Sequence, residues 1–282
     1  MSDLKRHFLV PKKWRSLAIA SILGTTVAVA VAQSYLGFDR NDYPGDENLK
    51  ALQQTFSFSG YWLNNPPGEN RNTWIGKRQA MESAGFGFLV LFDGRLDADL
   101  KNVKRATALG KSDGQNAVSA AHKQGFPSGT VIFLDQEQGG RMLPEQKAYI
   151  YNWVDVVNSS GFRAGIYCSG IPAQESPGVS IVTAEDIRQN AGSRKIIFFV
   201  TNDACPPSPG CAFPQKSPRP SDSRIDFADV WQFAQSPKRP DVAGGCPANY
   251  NPDGECYPPG LSAKKLHIDV DTATSADPSH AR

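Results

Sequence analysis

The chain is poor in the residues that build metal and phosphate sites. Four histidines are scattered through 282 residues and form no zinc-spaced set with the five cysteines. A metal centre is not expected, and neither is a cofactor. There is no glycine-rich phosphate loop, so the dinucleotide and nucleoside triphosphate classes fall away. The formal net charge is only +2, without the basic excess of a nucleic-acid binder. No repeat of solenoid or propeller period is present. After Cys168 the next histidine is His267, which leaves a thiol or hydroxyl peptidase without a convincing nucleophile and base.

Hydrophobic residues make up 40% of the chain and charged residues 21%, an ordinary globular balance for one large domain or two small ones. The first 34 residues read as a leader. Lys5, Arg6, Lys12, Lys13 and Arg15 precede an uncharged apolar run, and Ala30-Val31-Ala32 fits a small-residue cleavage site with Gln33 as the first mature residue. This reading makes the protein secreted or resident in the cell envelope. The alternative is an uncleaved signal anchor, the one way in which a membrane would be a partner. Export makes disulfides plausible. The simplest pairing of neighbours is Cys205 with Cys211 and Cys246 with Cys256, leaving Cys168 as a buried thiol.

The most informative stretch is 131–137, Val-Ile-Phe-Leu-Asp-Gln-Glu. An apolar run bounded by Gly129 and Gly139-Gly140 reads as a buried strand that ends in two acids. Side chains alternate along a strand, so Phe133, Asp135 and Glu137 share one face, with adjacent members about 6.6 Å apart. Two carboxylates held that close raise one pKa, which suits a general acid, and Glu137 is the expected bearer. The rival reading is that the acids pair with Lys or Arg, or cap the next helix.

Apolar runs with the same character recur at 35–40, 56–63, 86–92, 162–168, 195–200, 228–233 and 266–270. Helical patterns fall between them at 73–84, 112–124, 144–158 and 183–189. Strands alternating with helices indicate a parallel sheet covered on both faces. Eight strands at this length give an α/β fold, a (β/α)8 TIM-like barrel, irregular in its last strands where long Pro- and Cys-bearing loops replace helices. The barrel is expected over 35–276, with 277–282 as a polar tail. Asp39, Tyr61, Asp93, Asp135, Glu137, Tyr167, Gln232 and Asp269 all sit at or near strand ends, where such a barrel places its active-site mouth. Each alone could be a cap or a core hydrogen bonder.

The set "GFD", "FLDQE", "GFRAGIYCSG", "VWQFA" and "IDVDTAT" resembles the barrel of the family 25 glycoside hydrolases, the Chalaropsis-type lysozymes. It resembles more closely the secreted glycoside-hydrolase-like domain of unknown function related to them. The resemblance spans about 35–274. It implies that Glu137 is the general acid, Asp135 its partner carboxylate, and Asp39 and Asp269 the acids of the first and last strands. The implied substrate class is peptidoglycan. "GFDRNDYPG" and "VLFDGR" depart from the lysozyme pattern, and this weakens the muramidase substrate more than the fold.

These readings give an exported monomeric glycoside hydrolase on a cell-envelope or other N-acetylated polysaccharide. Two acids on one strand approach a sugar from one side, so the opposed acid and nucleophile of a standard retaining enzyme are not available from them. Asp135 would instead orient the substrate's own N-acetyl group. Tyr61, Trp62, Asp93, Tyr167, Trp231 and Gln232 are the candidate sugar contacts. The alternative is a non-catalytic glycan-binding or envelope-structural barrel, because fold alone does not carry activity.

Overall fold

A computed structural model of the protein describes residues 33–243 and 249–282. The leader, apart from Gln33 and Ser34, and Cys246 lie outside the described residues.

Among the described residues ten strands are formed: β1 (Tyr35–Asp39), β2 (Phe58–Trp62), β3 (Gly87–Asp93), β4 (Val131–Asp135), β5 (Arg163–Ser169), β6 (Ala173–Ser176), β7 (Val179–Ile181), β8 (Ile197–Thr201), β9 (Ala228–Ala234) and β10 (Asp269–Ala273). Eight of them close a barrel in the order β1-β10-β9-β8-β5-β4-β3-β2, and β6 and β7 form a separate hairpin. The expected TIM-like barrel is therefore present, with one correction. β10 runs antiparallel to both β1 and β9. A parallel neighbour needs a long crossover, usually helical, whereas an antiparallel one needs only a return loop. The described parts of 235–268 can therefore stay at one end of the barrel, and the lack of a long helix among those residues follows from the direction of β10. The same reversal puts Asp269 at the start of its strand rather than near the end, yet still at the mouth.

The interior is filled by alternate residues from each strand. A Cβ on Gly37 would lie 2.1 Å from the Phe58 ring, and one on Gly165 would lie 2.3 Å from Phe133. These glycines leave room for two aromatic rings to cross the barrel beneath the mouth. Both rings are fully buried, and each such side chain contributes about 1.5–3 kcal/mol.

Helix Val103–Lys123 begins about ten residues before the expected start. Asn102 caps it by accepting a hydrogen bond from the Arg105 N–H at 3.0 Å. Its Gly110 and Gly114 face helix Pro144–Ser159, where a Cβ would meet Tyr149 O at 2.3 Å and Val156 Cβ at 2.9 Å. Glycine mid-helix thus marks a close helix contact here, not a boundary.

The final six residues are held against the barrel. Asp277 Oδ1 accepts from the Phe88 N–H and Ser279 Oγ from the Val90 N–H, both at 2.8 Å. The Ser279 carbonyl accepts from the Val131 N–H at 2.8 Å. The segment is built into the strands β3 and β4.

The local disulfide pairing is also corrected. Cys211 bonds Cys256 across 45 residues, joining the loop after β8 to the loop before β10. Cys205 is itself disulfide-bonded, and Cys168 is a buried free thiol. Proximity in sequence gave the wrong partners because both loops fold over the same end of the barrel. Among the described residues no helix is long and apolar enough to cross a membrane.

Candidate functional site

A cleft of about 430 Å³ opens at the mouth of the barrel. Asp39, Asp135, Glu137 and Asp269 all line it, together with Trp62, Tyr167 and Gln232. Each is placed by its strand. Asp39 ends β1 and faces Asp269, the first residue of β10, across an antiparallel pair. Asp135 ends β4 and pairs with Tyr167 on β5. Glu137 lies two residues past β4, exposed, where the chain has left the sheet. Gly60 permits the position of Asp39, since a Cβ there would approach the Asp39 Cβ to 2.7 Å.

A polar net fixes the β1–β10–β9 side. The Gln232 amide donates to Asp39 Oδ2 at 2.9 Å and to Asp269 Oδ2 at 3.3 Å. Its carbonyl oxygen accepts from Tyr167 Oη at 2.7 Å and from Gln235 Nε2 at 2.9 Å. Asp269 Oδ1 accepts from the Ser236 N–H at 2.6 Å. Gln232 is therefore the residue that orients both acids.

The other side is different. Asp135 is buried, and its Oδ1 has no hydrogen-bond partner among the described residues. Burial, reinforced by Glu137, Asp93 and Asp39, pushes its carboxyl well above the usual range. Burial likewise raises Asp39 to about 6 against the hydrogen bonds it accepts, and Asp269 well above its ordinary value. These raised carboxyls are ones that the barrel takes out of water.

Several expected contacts are placed elsewhere. Tyr61 points away from the cleft, donates to Gln124 Oε1 at 2.8 Å, and packs on Trp74, Phe88 and Phe126. Trp231 also faces outward, is fully buried against Phe233, and donates to the Asn202 carbonyl at 3.0 Å. Both are core residues, because alternation along β2 and β9 sends them to the opposite face from Trp62 and Gln232. Asp93 pairs with Asp135 across the sheet but does not line the cleft. Burial and the Glu137 charge raise its carboxyl to about 6. Trp62 reaches the cleft but is only 3% exposed, with its indole N–H on the Arg40 carbonyl at 3.2 Å.

Arg40, Asn41, Asp42, Glu69, Gln235, Ser236 and His267 line the cleft without having been singled out in the sequence. Arg40 and Gln235 immediately follow strand ends, so the rule that found Asp39 and Gln232 extends to them. Glu69 and His267 come from loops whose course the sequence does not reveal. No set of three or more His, Cys, Asp or Glu among the described residues is arranged to hold a metal ion.

The family model of the Rv2525c-like, glycoside hydrolase-like domain matches residues 56–215, more than half of the chain. No curated protein matches it. Among solved structures, an uncharacterized B. stearothermophilus protein is similar at a TM-score of 0.55 and 19% identity, covering 85% of this chain and 95% of that one. The Mycobacterium tuberculosis Tat-secreted protein Rv2525c, in complex with HEPES, gives 0.48 and 11%, with 85% and 94% covered. A family 25 glycosyl hydrolase from Bacillus anthracis gives 0.44 and 10%, with 86% and 89% covered. At these identities the likeness is one of fold.

Proposed function

The chain belongs to the Rv2525c-like glycoside hydrolase-like domain family, and from that premise we propose that it is an exported glycosidase acting on an N-acetylated polysaccharide of the cell envelope. The observation that carries the reading is the pairing of unlike acids in one cleft. Asp135 is buried with an unpartnered oxygen, and Glu137 is exposed beside it. A sugar ring laid over Glu137 strips its water, which favours the neutral acid that donation needs. Glu137 then protonates the glycosidic oxygen as the bond to the anomeric carbon breaks.

Asp135 supports attack from the substrate. Its unpartnered oxygen accepts the acetamido N–H, which turns the acetyl oxygen toward the anomeric carbon. This is the substrate-assisted variant of retaining hydrolysis. Asp39 and Asp269, held by Gln232, supply the polar wall across the cleft. Export is supported by the leader composition, with Gln33 as the mature N-terminus, and by the description of Rv2525c as Tat-secreted.

Product analysis on paired polymers tests the proposal. Wild-type protein is expected to release reducing ends from peptidoglycan or N-acetylated oligomers and none from their de-N-acetylated counterparts. Equal release from both forms would remove substrate assistance. Binding without any release would make the chain a glycan-binding barrel.

A further inference from the structure

Arg40 immediately follows β1, in the stretch Gly-Phe-Asp-Arg-Asn-Asp that departs from the lysozyme pattern, and it lines the cleft. Its guanidinium is held by backbone. Nε donates to the His267 carbonyl at 3.1 Å, and Nη1 donates to the Asp42 carbonyl at 2.9 Å. The Arg40 carbonyl accepts from the Trp62 indole N–H at 3.2 Å, so both ends of the residue are fixed. Nη2 makes no hydrogen bond among the described residues. Four of the described arginines are half-buried. Arg78 pairs with Glu82, Arg194 with Asp155, and Arg239 with Asp203. Arg40 alone makes no ion pair among the described residues, although acids line the same cleft. The acids beside it in the chain are held by other donors. Asp39 accepts from Gln232 at 2.9 Å, and Asp42 accepts from Thr73 Oγ1 at 3.2 Å.

We propose that Arg40 is a specificity residue that takes a carboxylate carried on the sugar, which makes the ligand of this cleft an acidic glycan. A guanidinium keeps its charge at any ordinary pH, so a half-buried one calls for an anion. Two backbone carbonyls orient this one without neutralising it. Nη2 and the second N–H of Nη1 are left over, and adjacent guanidinium nitrogens match the two oxygens of a carboxylate. A carboxylate also brings one negative charge against one cation. A phosphate monoester would bring up to about two into a cleft lined by acids. A sugar seated in the cleft excludes water from the contact and so strengthens it. Arg40 stands on the β1 side with Asp39 and Asp269, across from Glu137. It fixes which sugar is held and takes no part in breaking the bond.

This ligand class rests on the reading of the cleft as a glycan site, and it is measured by binding, without hydrolysis. Calorimetry compares wild type, Arg40→Gln and Arg40→Lys on two sets of N-acetylated oligosaccharides. One set carries the carboxylate on a lactyl ether and the other on a uronic acid, and each is paired with its carbodiimide-amidated form. The wild type is expected to bind a carboxylate form about tenfold or more tighter than its amide, as a charge-assisted hydrogen bond supplies. The set that shows the preference identifies the source of the group. Arg40→Gln is expected to erase the difference. Arg40→Lys, which keeps the charge and loses the paired donors, is expected to fall between the two. Equal binding of acid and amide by the wild type would overturn the proposal even if Arg40→Gln failed to fold. A preference undiminished in Arg40→Gln would overturn it as well. Amides bound as tightly as acids would leave the glycan reading standing without Arg40, whereas no binding of any oligosaccharide would remove both. A preference for the acid without any cleavage would uphold Arg40 and remove the glycosidase activity alone.

Discussion

Asp135 and Glu137 are two residues apart and live in different environments. One ends a strand in a dry interior, and the other stands in solvent at the rim. Alternation explains why both address the same cleft, and the end of the strand explains why only one is buried. Asp39→Asn and Asp269→Asn are expected to keep the fold and reduce turnover less than loss of Glu137, since each retains the shape that Gln232 grips. Comparing kcat for these variants checks the ranking, and an Asp39→Asn variant as inactive as Glu137→Gln would assign Asp39 a direct chemical role. Tyr61 offers the converse case. It is fully buried among aromatic rings, so Tyr61→Ala should cost about 3–5 kcal/mol of stability. Chemical denaturation measures this directly. A stable Tyr61→Ala protein with weakened glycan binding would return Tyr61 to the site.

The strands carry the acids, and their direction explains features of the loops. β10 returns antiparallel between β1 and β9, which brings Asp39 and Asp269 into register although most of the chain separates them. The Cys211–Cys256 bridge ties the two long loops that precede and follow β9. Closing 45 residues contributes roughly 4 kcal/mol by the chain-entropy argument. Peptide mapping without reduction is expected to join the peptides of Cys211 and Cys256, and a Cys205–Cys211 peptide would contradict it. The strands and the acids at their ends were legible in the sequence because an apolar run that stops at a polar residue leaves a plain signature. The direction of β10 was not legible, because alternation reads the same both ways. The β6–β7 hairpin was missed because Ala173–Ser176 is largely polar and exposed, with no buried face to pattern it. The disulfide partners depend on where loops cross in space, which sequence distance does not record.

At the scale of the whole molecule the barrel mouth concentrates acids that prefer to be neutral. Asp39 and Asp93 are raised to about 6, and Asp135, Asp269 and Asp271 well above the ordinary carboxylate value, chiefly by burial. A carboxyl raised in the folded state binds its proton more tightly there than in the unfolded chain. Its contribution is full below the unfolded value of 3.8 and is lost as pH rises through the folded value. The protein is therefore expected to lose stability from about pH 4 through pH 6 and above, the opposite trend from acid denaturation of paired carboxylates. Melting curves across this range check the sign, and stability that climbs steadily from pH 4 to 8 would show these acids ionised and compensated. The central claim is that Glu137 donates the proton that releases the sugar. Its most direct test compares reducing-end release from one purified envelope glycan by wild type and Glu137→Gln, with binding to that glycan measured on both. The expected result is unchanged binding with release reduced at least a thousandfold, on the order of the general-acid contribution. Wild-type release retained by Glu137→Gln would contradict it.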